Sequence, residues 1–181
     1  RALHADSLPG PDLAPPGSRT TASRYLFPSV DVRQRRVKLV SRPPFPPAIY
    51  VWSLEQACLA TACASEEDCP LLLLCPEESA ALGGVPWFKS LVDKTARGKT
   101  LDLCLGLEAG CDGALAHEAL QLGLDLIVFE GSQALREKLA AIAHTQGALV
   151  LAGAPPALSL AGLANPEEAC RAWLKDNSPR S

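Results

Sequence analysis

The sequence predicts an α/β fold, a mainly parallel sheet of four to five strands built from successive βα repeats. Short, continuous apolar runs alternate with helix-patterned stretches from Ala48 to about Val150. Continuous apolar runs are typical of strands that are buried on both faces, with the intervening helices as cover. The spacing of the repeats suits right-handed crossover connections. Two architectures agree with this pattern: a flavodoxin-like open sheet, and a half barrel whose strands follow one another in sequence order.

Five apolar runs have the length of strands, and they cover residues 48–52, 71–75, 101–105, 124–129 and 148–151. Helix start and stop signals lie between these runs. Ser53 and Gln56 form a capping box that begins the first helix. Asp112 and Ser132 are the predicted N-caps of the helices that follow the third and fourth strands. Gly147 predicts the end of the fourth helix, because glycine adopts the left-handed conformation of a helix stop without strain.

Three further signals complete the pattern. After the second strand, Gly83 and Gly84 divide the helical stretch into two pieces, and the second piece begins at Pro86. The third strand leads into a glycine-rich loop, residues 106–113. Residues 165–168 combine an N-cap Asn, a proline at the first helical position and a capping-box Glu, so they predict a last helix.

Charge is divided unevenly along the chain. Residues 1–47 hold eight Arg or Lys and three Asp, a net charge of +5, so the remainder carries −8 of the total of −3. Nine of the sixteen prolines also lie in residues 1–47, which bury too little apolar surface to offset the entropy of ordering. We therefore expect a disordered Pro/Arg-rich tail over residues 1–47 and a single α/β domain over residues 48–178. An acidic domain argues against nucleic acid as a partner, because phosphate contacts need cations.

Seven cysteines are present, an odd number, and several fall inside predicted strands or helices. Disulfide frameworks belong to small secreted chains rather than to a βαβ pattern of this length, so we expect reduced thiols and a cytoplasmic location. The cysteine spacing does not match zinc-binding pairs, and no motif predicts a cofactor. The uncharged segment of residues 148–165 is interrupted by glycine and two prolines, so no membrane span and no membrane partner are predicted.

The segment of residues 101–151 resembles a family of short, uncharacterised proteobacterial α/β proteins. Members show a Leu-Asp-Cys-Gly-Asp-like strand end, an Ala-rich helix closing in Gly-Leu, and a second strand that enters a glycine-containing loop. The matching residues here are Asp102, Cys104, Gly106, Gly113, Ala119, Leu120, Gly123 and Leu124. The resemblance covers about residues 50–151 and implies no known activity; this chain departs from the pattern at Leu107, where relatives have an acidic residue. The same βα units are similar to part of an aldolase-like TIM barrel, which is a resemblance of fold.

In parallel α/β folds, ligands bind beyond the carboxyl ends of the strands. Glu108, Asp112 and Glu130 follow neighbouring predicted strands. They suit a hard cation or acid–base catalysis, although helix capping by Asp112 and solvation of the glutamates explain the same residues. Gly131 and Ser132 are suited to orienting a polar group at a helix N-terminus, although Ser132 also fits a simple cap. These five residues are the predicted ligand-binding site, with no metal ion and no catalytic residue assigned.

A complete catalytic set cannot be placed, because G-x-S-x-G is absent and Cys111 lacks a base at fixed spacing. Enzymatic activity is therefore left undecided. The first interpretation is a non-catalytic interaction or assembly module, which uses Trp87, Phe88 or Trp173 in helix-mediated contacts and forms a homo-oligomer. The alternative is a small-molecule-binding protein or an aldolase/lyase-like enzyme with a carboxylate-lined site at the strand carboxyl edge. Its ligand is expected to be a small anionic or polar metabolite.

Overall fold

The computed structural model describes residues 45–96 and 100–178, which form six strands and five helices. The strands are β1 (Ala48–Tyr50), β2 (Leu71–Cys75), β3 (Leu103–Glu108), β4 (Leu126–Val128), β5 (Leu149–Leu151) and β6 (Ala157–Ser159). The helices are α1 (Leu54–Glu66), α2 (Glu77–Thr95), α3 (Gly113–Gln121), α4 (Gln133–Gln146) and α5 (Pro166–Asn177). The predicted α/β class is confirmed. The predicted disordered tail falls, as far as residue 44, outside the described residues.

The strands form one sheet in the order β5-β4-β3-β2-β1-β6, and every pair of neighbours is parallel. Strands β1 to β5 lie side by side in sequence order, which is the half-barrel arrangement and differs from the rearranged order of a flavodoxin-like sheet. The predicted number of four to five strands is wrong, because β6 adds a sixth strand at the edge of β1. Only three residues form β6, and no helix separates it from β5, so it breaks the βα rhythm that predicts the other strands.

All five helices cover the same face of the sheet. Alternate strand residues, such as Leu71 and Leu73 of β2, belong to one large buried cluster that includes residues from every helix. The opposite face has its own buried cluster, and its buried members all come from strands: Ala48, Leu72, Leu74, Cys104, Leu126 and Val128. Burial on both faces explains why the strands are continuous apolar runs.

The sheet is strongly curved, because β5 and β6 lie at opposite edges and only residues 152–156 connect them. In a flat sheet, five inter-strand spacings of about 4.8 Å would separate the edges by about 24 Å. Six residue steps span at most about 22 Å, and part of that reach is needed to return from the end of β5 to the start of β6. The edges therefore curl toward each other, and the face without helices becomes the concave interior of a half barrel.

Strand β3 is displaced from its predicted position, since it begins at Leu103 and continues through Glu108. Gly106 pairs with Leu74 of β2 and Leu126 of β4, although the sequence predicts a loop from residue 106 onward. Glycine weakens a strand, but here parallel neighbours on both sides provide backbone partners. Glu108 is therefore the last residue of a strand, and its side chain has a defined face.

The helix boundaries follow local signals in most places. Ser53 accepts a hydrogen bond from the backbone N–H of Gln56 at 3.3 Å, as the predicted cap requires. Helix α2 is divided at Gly84 (φ 70°, ψ 170°), which confirms the predicted break. Helix α5 begins at the predicted place, with Asn165 as its N-cap residue and Pro166 in its first turn, but the Asn165 side chain accepts no backbone N–H and its amide instead donates to Glu168 at 3.4 Å. In the two described ranges, no helix is both long enough and apolar enough to cross a membrane.

Helix α5 is anchored beside α1. The indole N–H of Trp173 donates to the carbonyl oxygen of Ala48 in β1 at 3.0 Å. Arg171 forms an ion pair with Glu66 of α1 at 2.6 Å, and the buried residues of α5 are Cys170 and Leu174. The last helix is therefore attached to the domain through a narrow apolar stripe and a few polar contacts.

Candidate functional site

Two side chains on the concave face meet at the carboxyl end of the sheet. Tyr50 is the last residue of β1, and Glu108 is the last residue of β3. The hydroxyl of Tyr50 donates a hydrogen bond to Oε1 of Glu108, and both side chains are half-buried. The contact joins two strands that are not neighbours, because β2 lies between them.

The strand period places both residues on this face. Side chains alternate along a strand, so Glu108 shares the concave face with Gly106 and with the buried Cys104. Tyr50, Leu74 and Gly106 are paired in register, at one level of the sheet. A Cβ on Gly106 would lie 2.9 Å from Cδ1 of Leu74, so the absent side chain makes room for this leucine. The Tyr50 side chain crosses the concave face of β2 to reach Glu108, which lies on β3 two residues beyond Gly106.

Electrostatics keep the Tyr50 hydroxyl protonated. Burial raises its pKa above the ordinary range, the hydrogen bond to Glu108 raises it further, and the negative charges of Glu108 and Glu78 act in the same direction. The neutral phenol is therefore the donor in the pair over the whole physiological pH range. A carboxylate can accept about four hydrogen bonds, so Glu108 can bind a ligand donor while it remains bound to Tyr50.

A second aromatic side chain, that of Trp52, lies beside Tyr50. The ring of Trp52 lies 5.6 Å from the ring of Tyr50, at an interplanar angle of 41°. The backbone N–H of Trp52 donates to Oε1 of Gln56 at 2.8 Å, which fixes the short connection between β1 and α1. Tyr50, Trp52 and Glu108 lie at the carboxyl end of the concave face, which we call the mouth of the half barrel. The mouth thus has aromatic surface next to a carboxylate.

The loops that follow β2, β3 and β4 adjoin at Gly110. Its φ of 51° lies in the left-handed region, and a Cβ there would overlap the carboxylate of Glu77. The carbonyl oxygen of Gly110 accepts a hydrogen bond from the backbone N–H of Glu130 at 2.7 Å. Glycine is needed at this position for both its conformation and the close approach of Glu77.

The other predicted site residues have structural contacts. Asp112 accepts two backbone N–H bonds from the first turn of α3 at 2.9 and 3.0 Å, and Ser132 accepts one from α4 at 3.4 Å. A Cβ on Gly131 would overlap the ring of Phe129, so that ring packs against the glycine. Glu130 is exposed. Asp112 and Ser132 are thus the predicted helix caps, while ligand binding by Glu108 and by these four residues stays a prediction.

Within the described ranges, no three His, Cys, Asp or Glu side chains come together in a group that could hold a metal ion. Glu108, Asp112 and Glu130 therefore do not form a joint cation site there.

A groove of about 850 Å³ lies away from the strand ends between α1 and α5. Two of its charged side chains pair with each other, since Arg171 forms an ion pair with Glu167 at 2.8 Å. The mouth combines half-buried polar groups with the end of an apolar interior, so we place the candidate site there.

Sequence reasoning missed Tyr50 and Trp52 as site residues, because both lie in a run that predicts a strand. The signal was the two-residue period: Tyr50 and Glu108 each end a strand on the face that also carries Gly106. With the strand order known, this period brings the two together.

Fold and site define a parallel β/α half barrel with a polar pair at its mouth. A scan against protein-family models and a search of curated proteins both find no match for this chain. Among solved structures, the chain is similar to a "putative fructose-1,6-biphosphate aldolase" from Coccidioides immitis, with a TM-score of 0.49 and 19% sequence identity. The match covers 57% of this chain and 39% of that protein.

Proposed function

We propose that this protein binds a small polar molecule at the mouth of its half barrel, with Tyr50 and Glu108 in contact with the ligand. The observation that carries the proposal is the hydrogen bond between these two side chains at the end of an otherwise apolar interior. Small-molecule sites in proteins commonly combine apolar walls with a few convergent polar groups, and in barrels they lie at the carboxyl ends of the strands.

The negative charges at the mouth favour ligands that are not anionic. Glu77, Glu78 and Glu108 lie at or beside the ends of β2 and β3 and would repel a phosphate or carboxylate. A ligand with hydroxyl or ammonium donors suits Glu108 as an acceptor, and an ammonium group would also gain from the aromatic faces of Trp52 and Tyr50. The expectation from the sequence is a small anionic or polar metabolite. The negative charges at the mouth disfavour an anionic ligand, so we favour a polar or cationic one.

An aldolase/lyase-like activity at this site would use acid–base chemistry. Every lysine among the described residues lies within a helix, so none of these lysines follows a strand end as a Schiff-base amine would. In such a reaction Glu108 would accept a proton from the substrate, and the neutral hydroxyl of Tyr50 would donate to a substrate oxygen.

The test is a thermal-shift panel on the full chain with polyols, amino acids, polyamines, sugar phosphates and simple carboxylates. A ligand at about 100 times its Kd stabilises the folded state by about 2.7 kcal/mol, which is visible as a rise in melting temperature. We expect a polyol or amine to give a shift that Glu108→Gln and Tyr50→Phe abolish and Asp112→Asn retains. A panel without shifts, or a shift that both mouth variants keep, would contradict the proposal.

Assembly is a second candidate function, favoured by one specific surface. Leu82 is 91% exposed and Trp87 is 37% exposed, and they flank the division of α2. By contrast Phe88 is fully buried and Trp173 is held by its bond to β1, so only Trp87 among the predicted contact aromatics is exposed. Large exposed apolar side chains, tryptophan above all, are common in protein–protein contacts.

A further inference from the structure

The groove between α1 and α5 has a surface of mixed character. Its volume is about 850 Å³, and it lies on the face of the sheet that the helices cover. Apolar side chains from both helices and from the loop before α5 form part of the lining: Leu59, Ala164, Pro166 and Ala172. The other lining side chains are polar, and all but Asn165 are charged.

The two cations of the groove are already paired with carboxylates. Arg171 lies 2.6 Å from a carboxylate oxygen of Glu66 and 2.8 Å from one of Glu167. The ammonium group of Lys175 lies 3.4 Å from a carboxylate oxygen of Glu67. The positive charge of the groove is thus taken up by these three glutamates.

Two further carboxylates make the groove acidic. Glu55 of α1 and Glu168 of α5 are exposed and form no ion pair with a described residue. Together with the three paired glutamates, five carboxylates face two cations, a net charge of −3. Such a groove suits a basic peptide segment, because its charged ends can meet carboxylates while its aliphatic stems cover apolar surface.

The chain itself carries a basic segment shortly before β1. Residues 33–38 read R-Q-R-R-V-K, with four positive charges, and they lie outside the described residues. The chain then enters the sheet beside α5, because the carbonyl oxygen of Ala48 accepts the indole N–H of Trp173 at 3.0 Å. Trp173 is adjacent in sequence to Ala172, which lines the groove. The basic segment is therefore tethered next to the groove.

The lengths of the tether and of the segment suit the groove. Ten peptide steps separate Lys38 from Ala48, which is a reach of at most about 33–36 Å. The α5 wall of the groove extends from Asn165 to Lys175, about 15 Å along a helix. Six extended residues span about 20 Å, so residues 33–38 can cover the whole wall.

We propose that residues 33–38 dock in the groove between α1 and α5 of the same chain, with their cations on Glu55, Glu168 and the neighbouring carboxylates. One surface ion pair contributes little to stability. Here four cations act together, and the tether holds them at an effective concentration on the order of millimolar. The docking is independent of the function proposed for the barrel mouth.

The first experiment treats the full chain with a carbodiimide, which joins a lysine amine to a carboxylate in contact with it, and maps the products by mass spectrometry. We expect Lys38 to be joined to Glu55 or Glu168. The pair of Lys175 and Glu67 is the internal control, because its atoms already lie 3.4 Å apart.

Three outcomes of this map would overturn the proposal. One is a product at Lys175 without any product at Lys38. Another is a set of Lys38 products only with carboxylates outside the groove. The third, detected by mixing isotopically labelled and unlabelled protein, is a Lys38 product only between two chains, which would assign the groove to a second copy.

The second experiment measures how fast trypsin cleaves the full chain within residues 33–38, relative to its cleavage after Arg24. Docking protects the segment, and proteolysis follows the fraction of molecules in which it is released. The double variant Glu55→Gln and Glu168→Gln should raise the relative rate at least about threefold. High salt should raise the rate for the unmodified chain as well, because exposed charges are screened.

The matched control neutralises two exposed carboxylates away from the groove. Asp93→Asn on α2 together with Glu137→Gln on α4 changes the net charge by the same amount and should leave the relative rate unchanged. An unchanged rate in the groove variant, or an equal rise in the control variant, would overturn the proposal. All four substitutions are at exposed positions, and equal melting temperatures of the variants show that the domain is folded in each.

Discussion

The hydroxyl of Tyr50 donates a hydrogen bond to Glu108 across the whole width of the intervening strand β2. A contact between second-neighbour strands requires a concave sheet, because side chains on a flat sheet project in parallel and reach mainly their direct neighbours. The pair is thus both a candidate binding element and a direct sign of the half-barrel curvature.

Tyr50 and Glu108 should be energetically coupled. Tyr50→Phe removes the donor from a half-buried carboxylate and should lower the free energy of unfolding by about 1 kcal/mol. A double-mutant cycle with Glu108→Gln, measured by urea denaturation, should give a coupling energy of about 0.5–1.5 kcal/mol. Glu137→Gln on the exposed face of α4 is the control and should show no coupling with Tyr50→Phe. If the effect of the double mutant equals the sum of the two single effects, the hydrogen bond contributes nothing to stability.

Gly106 should tolerate no larger residue. A Cβ at this position would lie 2.9 Å from Cδ1 of Leu74 and 3.3 Å from both Leu72 and Leu126. Gly106→Ala should therefore lower the unfolding free energy by about 1–3 kcal/mol, and the added change Leu74→Val should recover part of the loss. Gly153→Ala is the control, because a Cβ there meets nothing within 4 Å. Chemical denaturation of the four proteins makes the comparison, and an unaffected Gly106→Ala would show that the interior is not close-packed.

Alkaline pH should destabilise the domain through its buried thiols. Burial raises the pKa of Cys104 to about 12, and the charges of Asp125 and Asp102 contribute to the rise. The thiol holds its proton more tightly in the folded chain, so its contribution is complete below the unfolded pKa of about 8.5 and is lost as pH rises toward 12. The stability advantage of the wild type over Cys104→Ala should therefore shrink between about pH 8 and about pH 11. Urea denaturation at both values tests this, and a constant difference would argue against burial as the cause.

Asp112 should act as a helix cap and not as a ligand contact. Asp112→Ala removes two hydrogen bonds to the first turn of α3 and should cost about 0.5–2 kcal/mol of stability. Asp112→Asn retains an acceptor and should cost far less. Neither change should weaken binding of a ligand found in the thermal-shift panel. A loss of ligand affinity with both variants would instead assign Asp112 to the binding site.

The exposed pair on α2 should govern any self-association. If Leu82 and Trp87 form an assembly surface, light scattering over a concentration series should show a mass increase that Leu82→Glu prevents. Ala140→Glu places the same charge on an exposed position of α4 and should leave the association unchanged. A protein that remains monomeric at all concentrations would remove homo-oligomerisation from the candidate functions.

Local signals allowed much of the fold to be predicted from the sequence. The continuous apolar runs, the cap at Ser53 and the break at Gly84 each depend on a few neighbouring residues, and each has the predicted outcome. Strand β6 and the end of β3 were not predictable in this way. Both are strands because of their neighbours in the sheet: β6 pairs with β1, and Gly106 lies between β2 and β4.

The candidate site was predicted less well than the fold. Glu108 was identified by its place near a strand end, but its partner depends on the strand order and on sheet curvature, which no local pattern carries. The sequence allowed two interpretations of Asp112 and Ser132, as helix caps or as ligand contacts. Only the structure shows that both accept hydrogen bonds from the first turns of their helices, as caps do.

The short connection between β5 and β6 has a consequence for biosynthesis. Of the six described strands, β1 leaves the ribosome first, yet one of its two edges is covered by β6, which leaves after the other five. Until then, the backbone groups along that edge are free to pair with a second nascent chain, as exposed edge strands do during aggregation. Because residues 152–156 tie β6 closely behind β5, the interval in which the edge stays open ends soon after the fifth strand is made. Lengthening this connection should therefore lower the yield of soluble protein more than it lowers the stability of the folded domain.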